Sequence, residues 1–153
     1  MNNIDIRWGV RRDMASVLSI ESESFGFPWT EEEFIRCLRQ RNCVLMVAEI
    51  REQVVGYMVY ELHENLLQLL NFAVAAGFRR KGIGTAIVFK MVGKLSPQRR
   101  SRILLEVRET NLAAQLFFRS QGFLAVSVLR DFYDDTTEDA YVMQYRYQAG
   151  VAV

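Results

Sequence analysis

Glu106 is the side chain in this sequence whose setting best suits acid–base chemistry. Around it, Ile103, Leu105 and Val107 alternate with other residues and would share the buried face of a strand, which leaves Glu106 on the opposite face with Arg108. A carboxylate in that position is either a structural partner of Arg108 or a general base held beside a cavity. The residues alone leave both interpretations open.

The loop Arg79-Arg80-Lys81-Gly82-Ile83-Gly84-Thr85 is the second candidate for chemistry, because it follows an apolar strand and opens an amphipathic helix. Glycines at a helix start leave backbone N–H groups accessible where the helix dipole is positive, which suits a phosphate or pyrophosphate. The loop lacks the Gly-Lys-Ser/Thr ending of a P-loop. It also lacks the third small residue of a dinucleotide fingerprint, since Ile87 stands there. A structural turn without a ligand is the alternative.

Metal, disulfide and histidine chemistry are not expected. Cys37 and Cys43 fall on different predicted elements and form no close-spaced metal or redox pair, so we expect free thiols of a reducing cytosol. The one histidine, His63, lies at a predicted strand end beside Glu64, and we expect it on the solvated surface. Without a histidine or cysteine cluster, no metal site is predicted.

The composition is that of a soluble globular protein. The chain has 153 residues and a net charge of +1, which gives no reason to expect a nucleic acid or an anionic membrane as partner. No apolar run approaches the roughly 18 residues of a membrane span, and the N-terminus has no apolar signal segment. We expect a cytoplasmic protein with one domain over residues 1–147 and a weakly patterned tail over 148–153.

Periodicity and capping signals predict seven strands and four helices. Thr30 and Glu33 form a capping box, with Trp29 and Phe34 placed as a hydrophobic staple, and Asp13 could cap the first helix. The predicted strands cover 4–8, 44–50, 54–62, 66–74, 103–108, 123–129 and 140–147, and the predicted helices cover about 13–25, 31–40, 84–95 and 111–121.

The resulting order is β-α-α-β-β-β-α-β-α-β-β. Three successive strands favour antiparallel pairing, whereas the strand–helix–strand passage from Leu66 to Arg108 requires a parallel crossover. The fold class predicted is therefore α/β, with a mixed, mostly antiparallel sheet.

Several motifs, in order along residues 4 to 147, resemble the Gcn5-related N-acetyltransferase (GNAT) superfamily and, within it, the bacterial ribosomal-protein-alanine N-acetyltransferases (the RimI group). The glycine loop resembles the superfamily's pyrophosphate loop. The other matching motifs are Phe27-Pro28-Trp29-Thr30, Asn71-Phe72-Ala73-Val74, Leu105-Glu106-Val107-Arg108-x-x-Asn111 with Ala114 and Gly122-Phe123, and Tyr133-x-x-Thr136-x-x-Asp139-Ala140-x-x-Met143.

This resemblance implies a fold in which one parallel strand pair splays apart, and it implies a role for each matched position. Glu106 would accept the proton of the attacking amine, and the cofactor would be acetyl-coenzyme A, with no metal. The implied cofactor-binding residues are Phe72, Ala73, Val74, Arg79, Arg80, Lys81, Gly82, Ile83, Gly84, Thr85, Asn111 and Phe118, and the implied substrate-binding residues are Phe27, Pro28, Trp29, Tyr133 and Asp134.

Phe118 departs from the resembled group, which carries at this position a tyrosine that protonates the leaving thiol. A phenyl ring cannot donate a proton, so Tyr133 or Tyr141 would have to substitute, with aromatic packing as the alternative role for both. Because a thiol has a pKa of about 8.5, coenzyme A can also leave as a thiolate near neutral pH. A slower enzyme is therefore compatible with this departure.

The nature of the acceptor amine follows from its protonation cost and agrees with the resemblance. At about pH 7.5 a neutral α-amine (pKa about 7.7–8.0) costs roughly 0.5 kcal/mol, against roughly 4 kcal/mol for a lysine amine (pKa about 10.4). This difference mildly favours an α-amine, and the resemblance implies acetylation of a protein or peptide N-terminus, with a ribosomal protein as one such target. We expect a monomer or weak homodimer. The alternatives are a small-amine (polyamine or aminoglycoside) acetyltransferase and a non-catalytic acyl-coenzyme A-binding module.

The acidic stretch from Asp131 to Asp139 is open to two interpretations. As a solvated surface loop it would have no role in binding. As a negative rim including Asp134 and Asp135, it would attract an ammonium group and the basic residues that follow it, with Phe27-Pro28-Trp29 as an opposite apolar wall.

Overall fold

The computed structural model describes residues 3–149, which form seven strands and four α-helices in the predicted order. The strands are β1 (Asp5–Trp8), β2 (Cys43–Ile50), β3 (Gln53–Leu62), β4 (Leu66–Val74), β5 (Arg102–Arg108), β6 (Leu124–Leu129) and β7 (Ala140–Arg146). The helices are α1 (Met14–Ser24), α2 (Glu31–Leu38), α3 (Ile83–Val92) and α4 (Leu112–Ser120). Of the predicted tail over 148–153, residues 150–153 lie outside the described part, and Gln148 and Ala149 belong to no helix or strand.

The start of α2 confirms the capping box. Thr30 Oγ1 accepts the Glu33 N–H at 3.2 Å, and the Glu33 carboxylate accepts the Thr30 N–H at 3.2 Å. The Trp29 and Phe34 rings lie 5.0 Å apart, as a hydrophobic staple requires. A cap of this kind contributes about 1 kcal/mol and sets the direction in which the chain enters α2.

The predicted cap of α1 by Asp13 is wrong. Asp13 closes a short 3₁₀ turn, accepts the Val10 N–H at 2.8 Å and pairs with both terminal nitrogens of Arg7 at 2.8 and 3.0 Å. A guanidinium from β1 thus competes for the carboxylate that local sequence would assign to the helix.

The sheet order is β1-β2-β3-β4-β5-β7-β6, and β4 with β5 is the parallel pair. Their pairing covers only Leu66–Leu69 against Arg102–Leu105, so the C-terminal halves of the two strands separate. A β-bulge at Leu70 supports this separation, since Leu69 pairs with Tyr60 and Asn71 with Val59. Bulges bend a strand and increase its twist, which directs the end of β4 away from β5.

Each face of the sheet carries its own apolar cluster. On one face α3 and α4 bury side chains that include Ile83, Ile87 and Phe118. On the other face α1 and α2 bury Val17 and Phe34. These layers hold β4 from both sides at the point where it leaves β5.

The edge strand β6 is correctly predicted as a strand, but its alternating apolar residues do not mark a buried face. All six of its residues are exposed, including Leu124 at 61 % and Val126 at 52 %. The alternation therefore reflects strand conformation and not burial.

Cys37 and Cys43 are free thiols, as expected. Both are buried. Burial raises the pKa of each thiol, which keeps both protonated. His63 lies at the surface as predicted, 44 % exposed, beside Glu61.

Candidate active site

Two adjoining clefts of about 520 Å³ each open where β4 and β5 separate. We call the first the Glu106 cleft and the second the glycine-loop cleft, after residues that line them. Six residues line both clefts, so the two meet at one junction: Ser24, Phe25, Phe72, Asn111, Ala114 and Phe118.

The end of β4 turns backbone groups towards this opening. Ala75 donates its N–H to Val55 O at 2.8 Å, so in the alternating antiparallel ladder Phe72 and Val74 direct their N–H and C=O groups away from β3. Phe72 N–H donates to the Asn71 side chain at 3.0 Å, whereas Val74 O accepts a bond from Arg79 Nε at 3.0 Å. The Val74 N–H is thus presented to the glycine-loop cleft, which Val74 lines.

The glycine loop ends in a left-handed N-cap for α3. Gly82 has φ +82°, a conformation that favours glycine, and no protein atom lies within 4 Å of an added Cβ. The first helical bond runs from Ala86 N–H to Gly82 O, which leaves the N–H groups of Ile83, Gly84 and Thr85 without helical acceptors. These donors at the positive end of the α3 dipole suit a phosphate.

Gly84 has a second reason to be glycine. A Cβ there would lie 3.1 Å from the Phe117 ring of α4, so a larger residue would require that ring to shift by a few tenths of an ångström. The sequence-based reason for both glycines, accessible backbone N–H groups at the helix start, stays a prediction.

The basic residues of the loop divide between structure and lining. Arg79 donates to Val74 O at 3.0 Å and to Ser24 Oγ at 3.1 Å, which ties the end of β4 to the end of α1. Arg80 lines the cleft. Lys81 lies over the Phe78 ring at 5.8 Å and does not line it.

Ile83 and Thr85 also differ in placement. The Ile83 side chain is 1 % exposed in the core, so only its backbone reaches the loop surface. Thr85 lines the glycine-loop cleft with Ala73 and Val74.

Glu106 is half-buried in the cleft that bears its name, on the open side of β5. Its Oε2 accepts a bond from Gln68 Nε2 at 2.8 Å, and within residues 3–149 it pairs with no cation. The interpretation of Glu106 as a structural partner of Arg108 is therefore wrong, because Arg108 binds other carboxylates.

Arg108 joins the two loops that flank the Glu106 cleft. Its guanidinium carbon lies 3.9 Å from the Tyr133 ring centroid and 5.1 Å from that of Phe27, while its nitrogens bind Asp135 at 2.7 Å and Glu138 at 3.2 Å. The bond to Arg108 holds the pKa of Asp135 below its usual value. Burial raises the pKa of the Tyr133 hydroxyl, so it is protonated at neutral pH.

Most carboxylates of the acidic stretch are paired with arginines outside it, so they do not form a free negative rim. Asp135 and Glu138 bind Arg108, and Asp139 binds Arg130 at 2.8 Å and the Asp131 N–H at 2.9 Å. The proposed rim is wrong for these three carboxylates. Asp134 is exposed and lines neither cleft.

Glu21 is the residue at this site that no sequence pattern selects. It is 1 % exposed on the floor of the Glu106 cleft. Its carboxylate accepts the Trp29 N–H at 2.8 Å, the Asn71 amide at 2.7 Å and the Tyr57 hydroxyl. Burial raises the pKa of Tyr57, so this phenol stays a donor. Glu21 thereby joins the loop between α1 and α2 to β4.

The remaining predicted residues fall as follows. Phe27, Trp29 and Tyr133 line the Glu106 cleft, whereas Pro28 does not. Asn111 lines both clefts and caps α4, its Oδ1 accepting the Ala114 N–H at 3.1 Å.

Phe118, 6 % exposed, packs edge-on against Phe72 and Phe123 and also lines both clefts. The other suggested hydroxyl, Tyr141, lines neither cleft and packs against the core.

Metal-binding clusters and membrane-spanning helices are both absent from the described residues 3–149. No group of three or more histidine, cysteine, aspartate or glutamate side chains there is arranged to hold a metal ion. Within the same residues, every helix is too short or too polar to cross a membrane.

Comparison with known proteins gives a consistent result. The model of the acetyltransferase (GNAT) family matches residues 14–123. The [ribosomal protein bS18]-alanine N-acetyltransferase of Escherichia coli (strain K12) is 26 % identical over 133 residues, which cover 86 % of this chain and 89 % of that protein. The N-alpha-acetyltransferase of Sulfurisphaera tokodaii is 34 % identical over 123 residues, which cover 72 % of this chain and 73 % of that protein.

Solved structures agree with this result at the level of the fold. The E. coli ribosomal-protein-S18-alanine N-acetyltransferase superimposes with a TM-score of 0.84 at 22 % identity, covering 99 % of this chain and 100 % of that chain. Arabidopsis thaliana NAA60 in complex with acetyl-CoA superimposes with a TM-score of 0.82 at 19 % identity, covering 94 % of this chain and 99 % of that chain.

Proposed function

Because the chain belongs to the acetyltransferase (GNAT) family, we propose that it transfers the acetyl group of acetyl-coenzyme A to the α-amino group at a protein or peptide N-terminus. The observation that carries this proposal is the junction of the two clefts. A carboxylate without a cation partner in the described chain lines one cleft, and a helix N-terminus with open N–H groups lines the other. Two substrates entering from opposite sides would meet there.

The residues present fit coenzyme A. The N–H groups of Ile83, Gly84 and Thr85 would bind the pyrophosphate, with Arg80 beside them, and the open backbone edge of β4 would bind the amide-rich pantetheine arm. Asn111 keeps its amide NH₂ available for that arm, because its cap of α4 uses only the oxygen. The thioester supplies an acyl group activated for attack by an amine.

Glu106 would act as the general base. Gln68 holds its Oε2, which leaves Oε1 to accept a proton from the amine, directly or through one water. The Val74 N–H would donate to the carbonyl oxygen as that oxygen gains negative charge, a form of stabilisation that is often worth several kcal/mol. Direct transfer needs no acyl-enzyme, and neither Cys37 nor Cys43 lines either cleft.

The preference for an N-terminal amine rests on the base and on the mouth of its cleft. A single carboxylate can serve an α-amine that is already partly neutral near pH 7.5 more easily than a lysine. Phe27 and Tyr133, joined by Arg108, form an aromatic entrance on the open side of the sheet. The two relatives described above are named [ribosomal protein bS18]-alanine N-acetyltransferase and N-alpha-acetyltransferase, so a ribosomal protein is one target to test.

The test is a panel of acceptors incubated with radiolabelled acetyl-coenzyme A. Peptides with a free N-terminus should be labelled. Peptides that contain lysines but have a blocked N-terminus should not be labelled, and neither should polyamines or aminoglycosides. Labelling of small amines alone would reassign the substrate class. Cofactor binding with no acceptor labelled would indicate a binding module.

The role of Glu106 is tested by Glu106→Gln, with Glu64→Gln as a matched control because Glu64 is exposed and outside both clefts. We expect kcat to fall at least about tenfold in the first variant and to stay unchanged in the second. A kcat within about twofold of the original would remove Glu106 from the role of base.

A further inference from the structure

We propose that Ser24 donates its hydroxyl hydrogen bond to the coenzyme A sulfur as the carbon–sulfur bond breaks. This inference rests on the proposed function and names the group that stabilises the departing thiolate. No tyrosine stands at position 118, so the fold supplies no phenol there.

The location of the sulfur follows from the two clefts. The amine must approach from the Glu106 cleft and coenzyme A from the glycine-loop cleft, so the thioester must lie where they meet. Of the six residues that line both clefts, Phe25, Phe72, Ala114 and Phe118 are apolar. The polar ones are Ser24 and Asn111.

Ser24 is the one residue with a hydroxyl that lines both clefts among residues 3–149. Thr110 and Tyr133 line only the Glu106 cleft, and Thr85 and Ser120 line only the glycine-loop cleft. Tyr133, the substitute considered from sequence, is therefore on the amine side of the junction.

Arg79 holds the Ser24 hydroxyl in position. Its Nη2 donates to Ser24 Oγ at 3.1 Å while its Nε donates to Val74 O at 3.0 Å. The hydroxyl is thus tied to the β4 residue whose N–H would bind the acetyl oxygen. Accepting a bond from a guanidinium polarises the hydroxyl and strengthens it as a donor. Within the described chain the Ser24 O–H itself donates to no acceptor.

The transfer does not require an acid that protonates the leaving sulfur. The nitrogen–carbon bond forms as the carbon–sulfur bond breaks, the electron pair stays on sulfur, and the amine proton passes to Glu106. A thiol has a pKa of about 8.5, and serine is a far weaker acid, so Ser24 keeps its proton and stabilises the anion. Solvent protonates the thiolate after release.

The test measures binding and ionisation and does not depend on turnover. Ser24→Ala is compared with Ser22→Ala, a serine on α1 that is exposed and lines neither cleft. Calorimetry above the pKa of the thiol compares coenzyme A with desulfo-coenzyme A, which lacks the sulfur. Ser24→Ala should raise the Kd of coenzyme A roughly tenfold, since a hydrogen bond to the charged thiolate is lost, and should leave the Kd of desulfo-coenzyme A unchanged.

A second readout follows the bound thiolate by its ultraviolet absorbance across pH. In Ser24→Ala the ionisation of bound coenzyme A should move to higher pH by about 1 unit, whereas Ser22→Ala should match the original protein. An equal loss of affinity for coenzyme A and desulfo-coenzyme A would show that Ser24 acts only through Arg79, and it would overturn the proposal. An unchanged ionisation would likewise overturn the proposal.

A rescue variant separates this role from a loss of structure. Phe118→Tyr adds a hydroxyl to a ring that already lines the junction. Combined with Ser24→Ala, it should return the pKa of the bound thiol to its original value and restore most of kcat. A double variant with the same thiol pKa and kcat as Ser24→Ala alone would contradict the proposal. If the original protein labels no N-terminus while the binding results hold, the proposed function fails and the assignment of Ser24 stands.

Discussion

Replacing Glu21 with glutamine should loosen the amine entrance while leaving the glycine-loop cleft intact. The Glu21 carboxylate faces three donors: the Trp29 N–H at 2.8 Å, the Asn71 amide at 2.7 Å and the Tyr57 hydroxyl. Glutamine offers one oxygen and one NH₂ group, so a donor must face a donor on one side. Either the loop between α1 and α2 or β4 then loses its partner.

The magnitude follows from the kind of bond that is lost. Hydrogen bonds to a charged acceptor contribute about 1.5–3 kcal/mol each, against about 1 kcal/mol for neutral pairs, and an unsatisfied buried donor costs about 1–3 kcal/mol. Removing a carboxylate charge from a site that is 1 % exposed offsets part of this loss. We expect a net loss of about 2 kcal/mol in the free energy of unfolding, which lowers Tm by roughly 4–8 °C.

The assay combines thermal unfolding with steady-state kinetics. Because Trp29 lies on the amine side, KM for the peptide should rise several-fold, while the Kd of coenzyme A should change little. Glu23→Gln is the control, since Glu23 accepts one bond, from the Ala76 N–H, which an amide oxygen can also accept. In a Tyr57→Phe background the cost of Glu21→Gln should shrink, because one donor is gone.

A Glu21→Gln variant as stable as Glu23→Gln, with an unchanged peptide KM, would refute this reasoning. It would mean that the three donors do not require a carboxylate. An equal weakening of peptide binding and coenzyme A binding would instead indicate a general loss of packing.

Three further predictions test other parts of the structure. The hydrogen bonds from Arg7 lower the pKa of Asp13, so the ionised carboxylate contributes its full stabilisation above about pH 4 and loses it as the pH falls through the pKa of the folded protein. The difference in unfolding free energy between the original protein and Asp13→Asn should therefore narrow at low pH. A difference that stays constant with pH would contradict this. Gly82→Ala places a side chain on a residue at φ +82°, so it should lower the free energy of unfolding by about 1 kcal/mol and weaken coenzyme A binding. The control Gly77→Ala should do neither, and equal effects of the two substitutions would contradict the argument from backbone strain. Arg108→Leu unties the two entrance loops, so peptide KM should rise without a change in coenzyme A affinity, and an unchanged KM would rule out that role.

Local patterns predicted most of the fold. Apolar runs, alternation and turn signals located every strand to within a few residues, and the Thr30–Glu33 capping box located the start of α2, because these signals depend on neighbours in sequence. The glycine loop and the open-side position of Glu106 were predicted for the same reason. The exposure of β6 was not predicted, since alternation describes how a strand presents side chains and not what covers them.

The pairing of charged and polar side chains could not be predicted in this way. Asp13 binds Arg7 from β1, Glu21 binds Asn71 from β4, and Arg108 binds Asp135 from the loop before β7. These partners lie 6, 50 and 27 positions apart, and no local rule selects among the available charges. Their choice is made when the layers of the fold pack together.

The amino-acid sequence by itself determined the order of elements, the anion-binding start of α3 and the face of β5 that carries Glu106, because each depends on spacing over a few residues. Only the tertiary structure decided that β4 and β5 part after Leu69, that Glu106 remains free of Arg108, and that Ser24 lies where two clefts meet. The physical reason is that these features depend on the β4 bulge and on contacts between segments far apart in the chain, which compete with local preferences and are settled by packing.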